Sequence, residues 1–163
     1  MYLSVVKSAM AAGMLLGGAA PAPAPAPASL DVAVSNSDLA VVRLDPDPVK
    51  PGGKTTVHAF VANLGPDRTA SPFSVIVVLP WPAKAEGPYF PTSCQPIAAG
   101  SAVVCTFPAG LSTLRTATAL IPARVPLGTL SPQTLIGGMI MVVSADDQNQ
   151  ANNITAYSMR VAG

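Results

Sequence analysis

From residue 29 onward the hydrophobic positions fall at every second residue or in short unbroken runs, and none sustains a 3.6-residue period. Residues 39–44 (LAVVRL) read as a first strand, stopped by Asp45-Pro46-Asp47-Pro48. A Pro51-Gly52-Gly53 turn precedes a long strand over residues 54–62 (KTTVHAFVA). In it Val57, Ala59 and Val61 share one face, and Thr56, His58 and Phe60 the other. After the breaker cluster at residues 63–67, the β-branched run 73–79 (FSVIVVL) predicts a third strand ending at Pro80. Residues 93–97 and 102–107 read as two short strands about a turn, and residues 113–121 as a strand closed by Pro122. Residues 135–143 (LIGGMIMVV) have the composition of a central strand buried on both faces, with Gly137-Gly138 marking a bulge or a close backbone approach. A polar turn over residues 146–153 leads to a last strand, 154–161, with Tyr157, Met159 and Val161 inward.

Seven to nine short strands with turn chemistry between them, and no helical stretch to carry a parallel crossover, predict an all-β, antiparallel β-sandwich. No internal repeat is visible.

The N-terminal region has a different character. Residues 1–20 carry Lys7 and then a short, glycine-relaxed apolar stretch, too short after the lysine to span a bilayer. It reads as a secretory signal peptide, or alternatively as a retained apolar arm. Residues 21–28 alternate proline and alanine without interruption, the pattern of a semi-rigid polyproline-like spacer. If proline after the scissile bond blocks cleavage, Ala28 is the small residue left to precede the cut, so the mature chain is expected to start at Ser29. The expected organisation is a signal peptide and spacer over 1–28 and a sandwich domain over 29–163.

Charge is sparse. Nine Lys and Arg against eight Asp and Glu give a formal net charge of +1. There is no basic field for a nucleic-acid backbone, so no nucleic-acid partner is expected. Without residues 1–28 the balance is neutral, which leaves little colloidal repulsion and favours self-association.

The residues that carry chemistry are few. His58 is the single histidine and alternates with Phe60 on a strand, an arrangement of a half-exposed surface residue rather than a base. Asp45 and Asp47 lie in a proline turn, as solvated turn acids. Residues 146–153 form the one oxygen-rich stretch; Asp146, Asp147 and Asn149 are weak calcium candidates, set against ordinary turn chemistry, and no metal or other cofactor is expected. Residues 81–90 (WPAKAEGPYF) gather Trp81, Tyr89 and Phe90, three of the eight aromatics; they either anchor a partner or cap one end of the sandwich. Cys94 and Cys105 flank the turn between two short strands, and if these pair as a hairpin the thiols come within bonding reach. A disulfide is then expected in an exported protein; a metal pair or a reactive thiol are the other readings.

In order along the chain, Pro51-Gly52, Val61-Ala62-Asn63-Leu64-Gly65-Pro66, the run ending at Leu79-Pro80, the pair Cys94 and Cys105, and Asp146 or Asp147 with Asn152-Asn153 resemble a known pattern. It is that of the bacterial conserved-repeat immunoglobulin-like domain of exported and surface proteins (domain of unknown function 11). CARDB-type adhesion domains are a looser likeness. The resemblance covers roughly residues 38–162, and departs at residues 111–114, where such domains carry a glycine after the leucine, and in the long 81–91 insertion. It implies an immunoglobulin-like sandwich without catalysis, secreted or at the cell surface, serving as a spacer or in adhesion toward a protein or cell-surface partner. The alternative is an unprocessed subunit of a larger assembly, such as a particle-decoration or filament protein, whose N-terminal arm packs on a neighbour.

Overall fold

Residues 35–163 are described by a computed structural model, and nine strands organise them. These are β1 (Leu39–Val42), β2 (Lys54–Asn63), β3 (Phe73–Val78), β4 (Lys84–Ala85), β5 (Cys94–Ile97), β6 (Ala102–Phe107), β7 (Thr116–Arg124), β8 (Gln133–Ser144) and β9 (Ile154–Val161). They form a four-stranded sheet in the order β1-β2-β7-β4 and a five-stranded sheet in the order β5-β6-β3-β8-β9, with every strand pair antiparallel. Only β1–β2, β5–β6 and β8–β9 are sequential neighbours within one sheet; the other connections cross between sheets, as in an immunoglobulin-like sandwich. The expected leader and spacer, residues 1–28, lie outside the described residues.

Alternation builds the core. Val57, Ala59 and Val61 of β2 and Ala119, Ile121 and Ala123 of β7 point inward from one sheet and are fully buried. They meet Val75, Val77, Val103, Ile140, Val142 and Met159 of the other. Tyr157 is buried among them; its hydroxyl donates to the Val78 carbonyl at 3.0 Å, and burial pushes its pKa up.

Three details differ from the pattern reading. Strand β7 begins later, at Thr116, because residues 112–115 make a turn in which Leu114 takes φ +59°. It also runs through Pro122 to Arg124. Leu120 exchanges hydrogen bonds with Phe90, and the Glu86 N–H donates to the Pro122 carbonyl, so the backbone groups of these even-numbered positions face the short β4 side. The missing proline N–H therefore costs no bond to β2. Strand β8 is central, between β3 and β9, but among the described residues is covered on one face only: Leu135, Ile140 and Val142 are buried while Ile136 and Val143 are exposed. The Gly137-Gly138 bulge lies between Leu135 and Gly138, where Gly137 has φ +92° and a Cβ on Gly138 would lie 2.7 Å from the Tyr157 ring.

The outer edge of β9 is partly covered by residues 43–49. The Val49 N–H donates to the Arg160 carbonyl and the Ala162 N–H to that of Val49, each at 2.9 Å. The Asp45 carboxylate accepts the Ser158 N–H at 3.0 Å. Asp45 is exposed, as expected of a turn acid, and is also bound to a strand edge; this backbone bond, with Arg43 beside it, lowers its pKa.

Candidate functional site

Asn63, the last residue of β2, anchors one end of the sandwich. Its side chain is fully buried; Oδ1 accepts the N–H groups of Asp38 (3.2 Å) and Gly65 (3.1 Å), and Nδ2 donates to the carbonyls of Asp67 (2.8 Å) and Leu111 (2.9 Å). Gly65 is needed for room rather than for a left-handed backbone, since a Cβ there would collide with the Asn36 carbonyl. At this same end Ser35 and Asn36 enter the fold, the latter donating its N–H to Asp67. Nearby loops are held by Asp146, which accepts the Ser71 N–H, and by Asp147, which accepts those of Leu39 and Asn149. Both carboxylates are buried and Asn149 is exposed; its side chain accepts the Ala151 N–H. Among the described residues no three His, Cys, Asp or Glu side chains cluster as a metal site.

His58 lies half-buried on the outer face of β2, its ring centroid 5.8 Å from that of Phe60, and Leu120 is its cross-strand partner. Cys94 and Cys105 stand directly opposite each other in the β5–β6 hairpin, are both buried, and are joined by a disulfide.

The opposite end of the sandwich has a different chemistry. There β2 begins and β7 ends, with Lys54 opposite Arg124, and Glu86 bridges Lys54 (2.8 Å) and Arg124 (2.6 Å). Hydrogen bonds from Arg124, then Lys54, hold the Glu86 carboxyl down to about 2. Beyond these charges Trp81 projects from the β3–β4 connection with 84% of its surface exposed. The β7–β8 connection beside it presents Leu127 and Leu130, 81% and 75% exposed. Trp81, Pro82, Pro126, Gly128, Thr129, Leu130 and Gln133 line an open cavity of about 450 Å³ without a charged residue. A turn from the Thr129 N–H to the Pro126 carbonyl shapes its floor, and among the described residues the buried Thr129 hydroxyl has no hydrogen-bond partner.

Of the three aromatics of residues 81–90, Trp81 alone lines this cavity. Tyr89 packs against the core, and Phe90, 57% exposed, bridges to Leu120 on β7. Trp81 is grouped instead with residues 126–133. Sequence reasoning passed over Leu127 and Leu130, although a signal exists: two leucines in a proline-bracketed turn (PLGTLSP) have no strand to bury them.

No protein-family model matches the chain, and no curated protein matches it. Among solved structures the domain is similar to the major pilin subunit BcpA of Bacillus cereus, with TM-score 0.52 and 10% identity over 77% of this chain. The match spans 39% of the pilin. A PapD-like domain of human CEP192 aligns over 91% of this chain and 96% of its own, with TM-score 0.38 and 7% identity. The likeness to the pilin subunit is one of fold: two antiparallel sheets packed as an immunoglobulin-like sandwich.

Proposed function

We propose that the chain is a non-catalytic, exported immunoglobulin-like module that holds a protein or cell-surface partner through the Trp81 end of its sandwich. One observation carries this reading: a largely exposed tryptophan and leucine, Trp81 and Leu130, line one uncharged cavity, with exposed Leu127 on the same loop, and these loops are stiffened by Pro80, Pro82, Pro126 and Pro132. Exposed aromatics on rigid loops bind with little loss of side-chain entropy, and tryptophan is among the residues most often dominant in binding. The buried disulfide supports export, since such bonds persist in oxidising compartments. The fold shared with a pilin subunit supports a structural or adhesive role. The test is the Trp81→Ala, Leu130→Ser double variant against the surface fraction of the producing cells. Binding is expected to fall at least tenfold with the unfolding midpoint unchanged. Retained binding refutes the reading, and a large loss of stability assigns the two side chains to the core.

A further inference from the structure

We infer that the outer face of the five-stranded sheet is the surface on which two copies of this chain pair, sheet against sheet, about a two-fold axis. This contact is separate from the Trp81 end and does not depend on it. Alternation that sends Val75, Val77, Ile140 and Val142 into the core turns their neighbours outward, and in this sheet most of those neighbours are apolar too. The registers line them up in rows. Gln95, Val104, Ile76, Met141 and Ile154 form one complete row across all five strands. Ile97, Ala102, Val78, Met139 and Ala156 form a second. Thr106, Ser74 and Val143 form part of a third. No row holds a charged residue. Ile97 is 45% exposed, and Val143 and Ile154 are each 56% exposed. Among the described residues no strand packs over this face.

Size and charge select a second copy. Strands lie about 4.8 Å apart and same-face residues about 6.6 Å, so three rows over five strands cover about 24 by 20 Å, or about 480 Å² in projection. Relief adds to this. Ile136, 78% exposed, extends the face past the bulge, and a cavity of about 230 Å³ opens beside Met141, Val143, Gln150 and Ile154. A small interface takes about 600 Å² of accessible surface from each partner and a standard one about 800 Å². One such face pressed on another therefore reaches a dimer of modest size. Two sheet faces pack about 10 Å apart with side chains interleaved, as they do inside the sandwich, and Met139 and Met141 are flexible enough to fit a copy of themselves. The nearest charges, Arg43, Asp45 and Arg160 along the β9 rim, include both signs, so no single-sign field repels a second copy. The rows contain no Trp, Tyr or Lys, residues that seat a protein at a bilayer surface. Because the patch pairs with itself, the contact is isologous and closes at two copies.

The experiment is sedimentation velocity on the protein, with whichever N-terminus intact mass finds, at concentrations up to about 100 μM, the weak end of affinity for interfaces of this size. A weight-average mass rising to twice the monomer and no further is expected. The Val143→Lys, Ile154→Lys variant changes two side chains that are already more than half in solvent. It should weaken dimerisation at least about tenfold by setting like charges against each other, with the circular dichroism unchanged, whereas Trp81→Ala should leave the dimer intact. In methyl NMR of the wild type, which needs no variant to fold, the ε-methyl signals of Met139 and Met141 should move with concentration while that of buried Met159 stays. A wild type that stays monomeric overturns the inference, as does growth past the dimer. Pairing that survives the lysine variant overturns it too, and pairing lost in Trp81→Ala but kept in the lysine variant moves the contact to the Trp81 end. A doubled mass with Met139 and Met141 signals that ignore concentration likewise excludes this face.

Discussion

Replacing Asn63 by leucine, which has the same branching but bulkier methyl groups, removes four side-chain hydrogen bonds without opening a cavity, and any overpacking adds to the cost. The Gly65 N–H is buried and has no water to turn to, so its loss costs about 1–3 kcal/mol. The Asp38 N–H and the carbonyls of Asp67 and Leu111 are nearer solvent and recover part of their hydration, for about 0.5 kcal/mol each. The expected loss is therefore about 3 kcal/mol, a large part of the roughly 5–15 kcal/mol of an ordinary domain. Equilibrium unfolding in urea measures it, with an unchanged slope showing that the same surface is exposed. Asn63→Asp adds a test of direction. The aspartate keeps the acceptor for Asp38 and Gly65 but points a second oxygen at the two carbonyls that Nδ2 now serves. Its folded pKa is raised, because the neutral acid can donate to one of them. Stability tied to a raised carboxyl pKa is present below the unfolded value and lost as pH rises through the folded one. The deficit of this variant relative to wild type must therefore shrink in acid. An Asn63→Leu cost below about 1 kcal/mol, or an aspartate variant as stable as wild type at neutral pH, refutes the reasoning.

Other consequences are as direct. The Cys94→Ala, Cys105→Ala variant should lose about 3 kcal/mol in urea unfolding, the value for closing so short a loop, whose ends are 11 residues apart. Glu86 is held down to about 2, so the stability it contributes is present above its ordinary value of 4.5 and lost as pH falls toward 2. Carbon-13 NMR should show its carboxyl titrating near that lower value, and Glu86→Gln should flatten the acid limb of the stability profile. Leu114 is exposed and left-handed, so Leu114→Gly should gain about 0.5 kcal/mol by relieving the backbone, read as a higher urea midpoint.

Much of the sandwich was legible because period two is a local property. The inward set Val57, Ala59, Val61 is alternate residues of one strand, and its burial follows once any second sheet covers it. The hairpin at Cys94 and Cys105 was also legible, since a short turn fixes its own register. What escaped depends on partners distant in sequence. Pro122 reads as a terminator in isolation and is tolerated because its nitrogen faces the β4 side. The apolar run of β8 suggests burial on two faces, yet among the described residues no element packs over Ile136 and Val143. Gly65 looked like a turn residue and is a spacer against the Asn36 carbonyl. At the candidate site, the aromatic content of residues 81–90 pointed to the right loop, but the company Trp81 keeps comes from residues 126–133, some 45 positions away.

The strip of chain pinned along β9 has a bearing on how this domain resists misassembly. An incoming strand seeking the last strand's rim finds two main-chain bonds already made at Val49 and, further along, a carboxylate seated on the Ser158 amide. To pair along the second half of β9 it must first peel residues 43–49 away, which leaves the rest of the molecule intact. Acid favours that intruder, since protonating Asp45 weakens the seal on the Ser158 amide. At the β9 rim, growth of the sheet is thus tied to the detachment of one short strap and to solvent acidity.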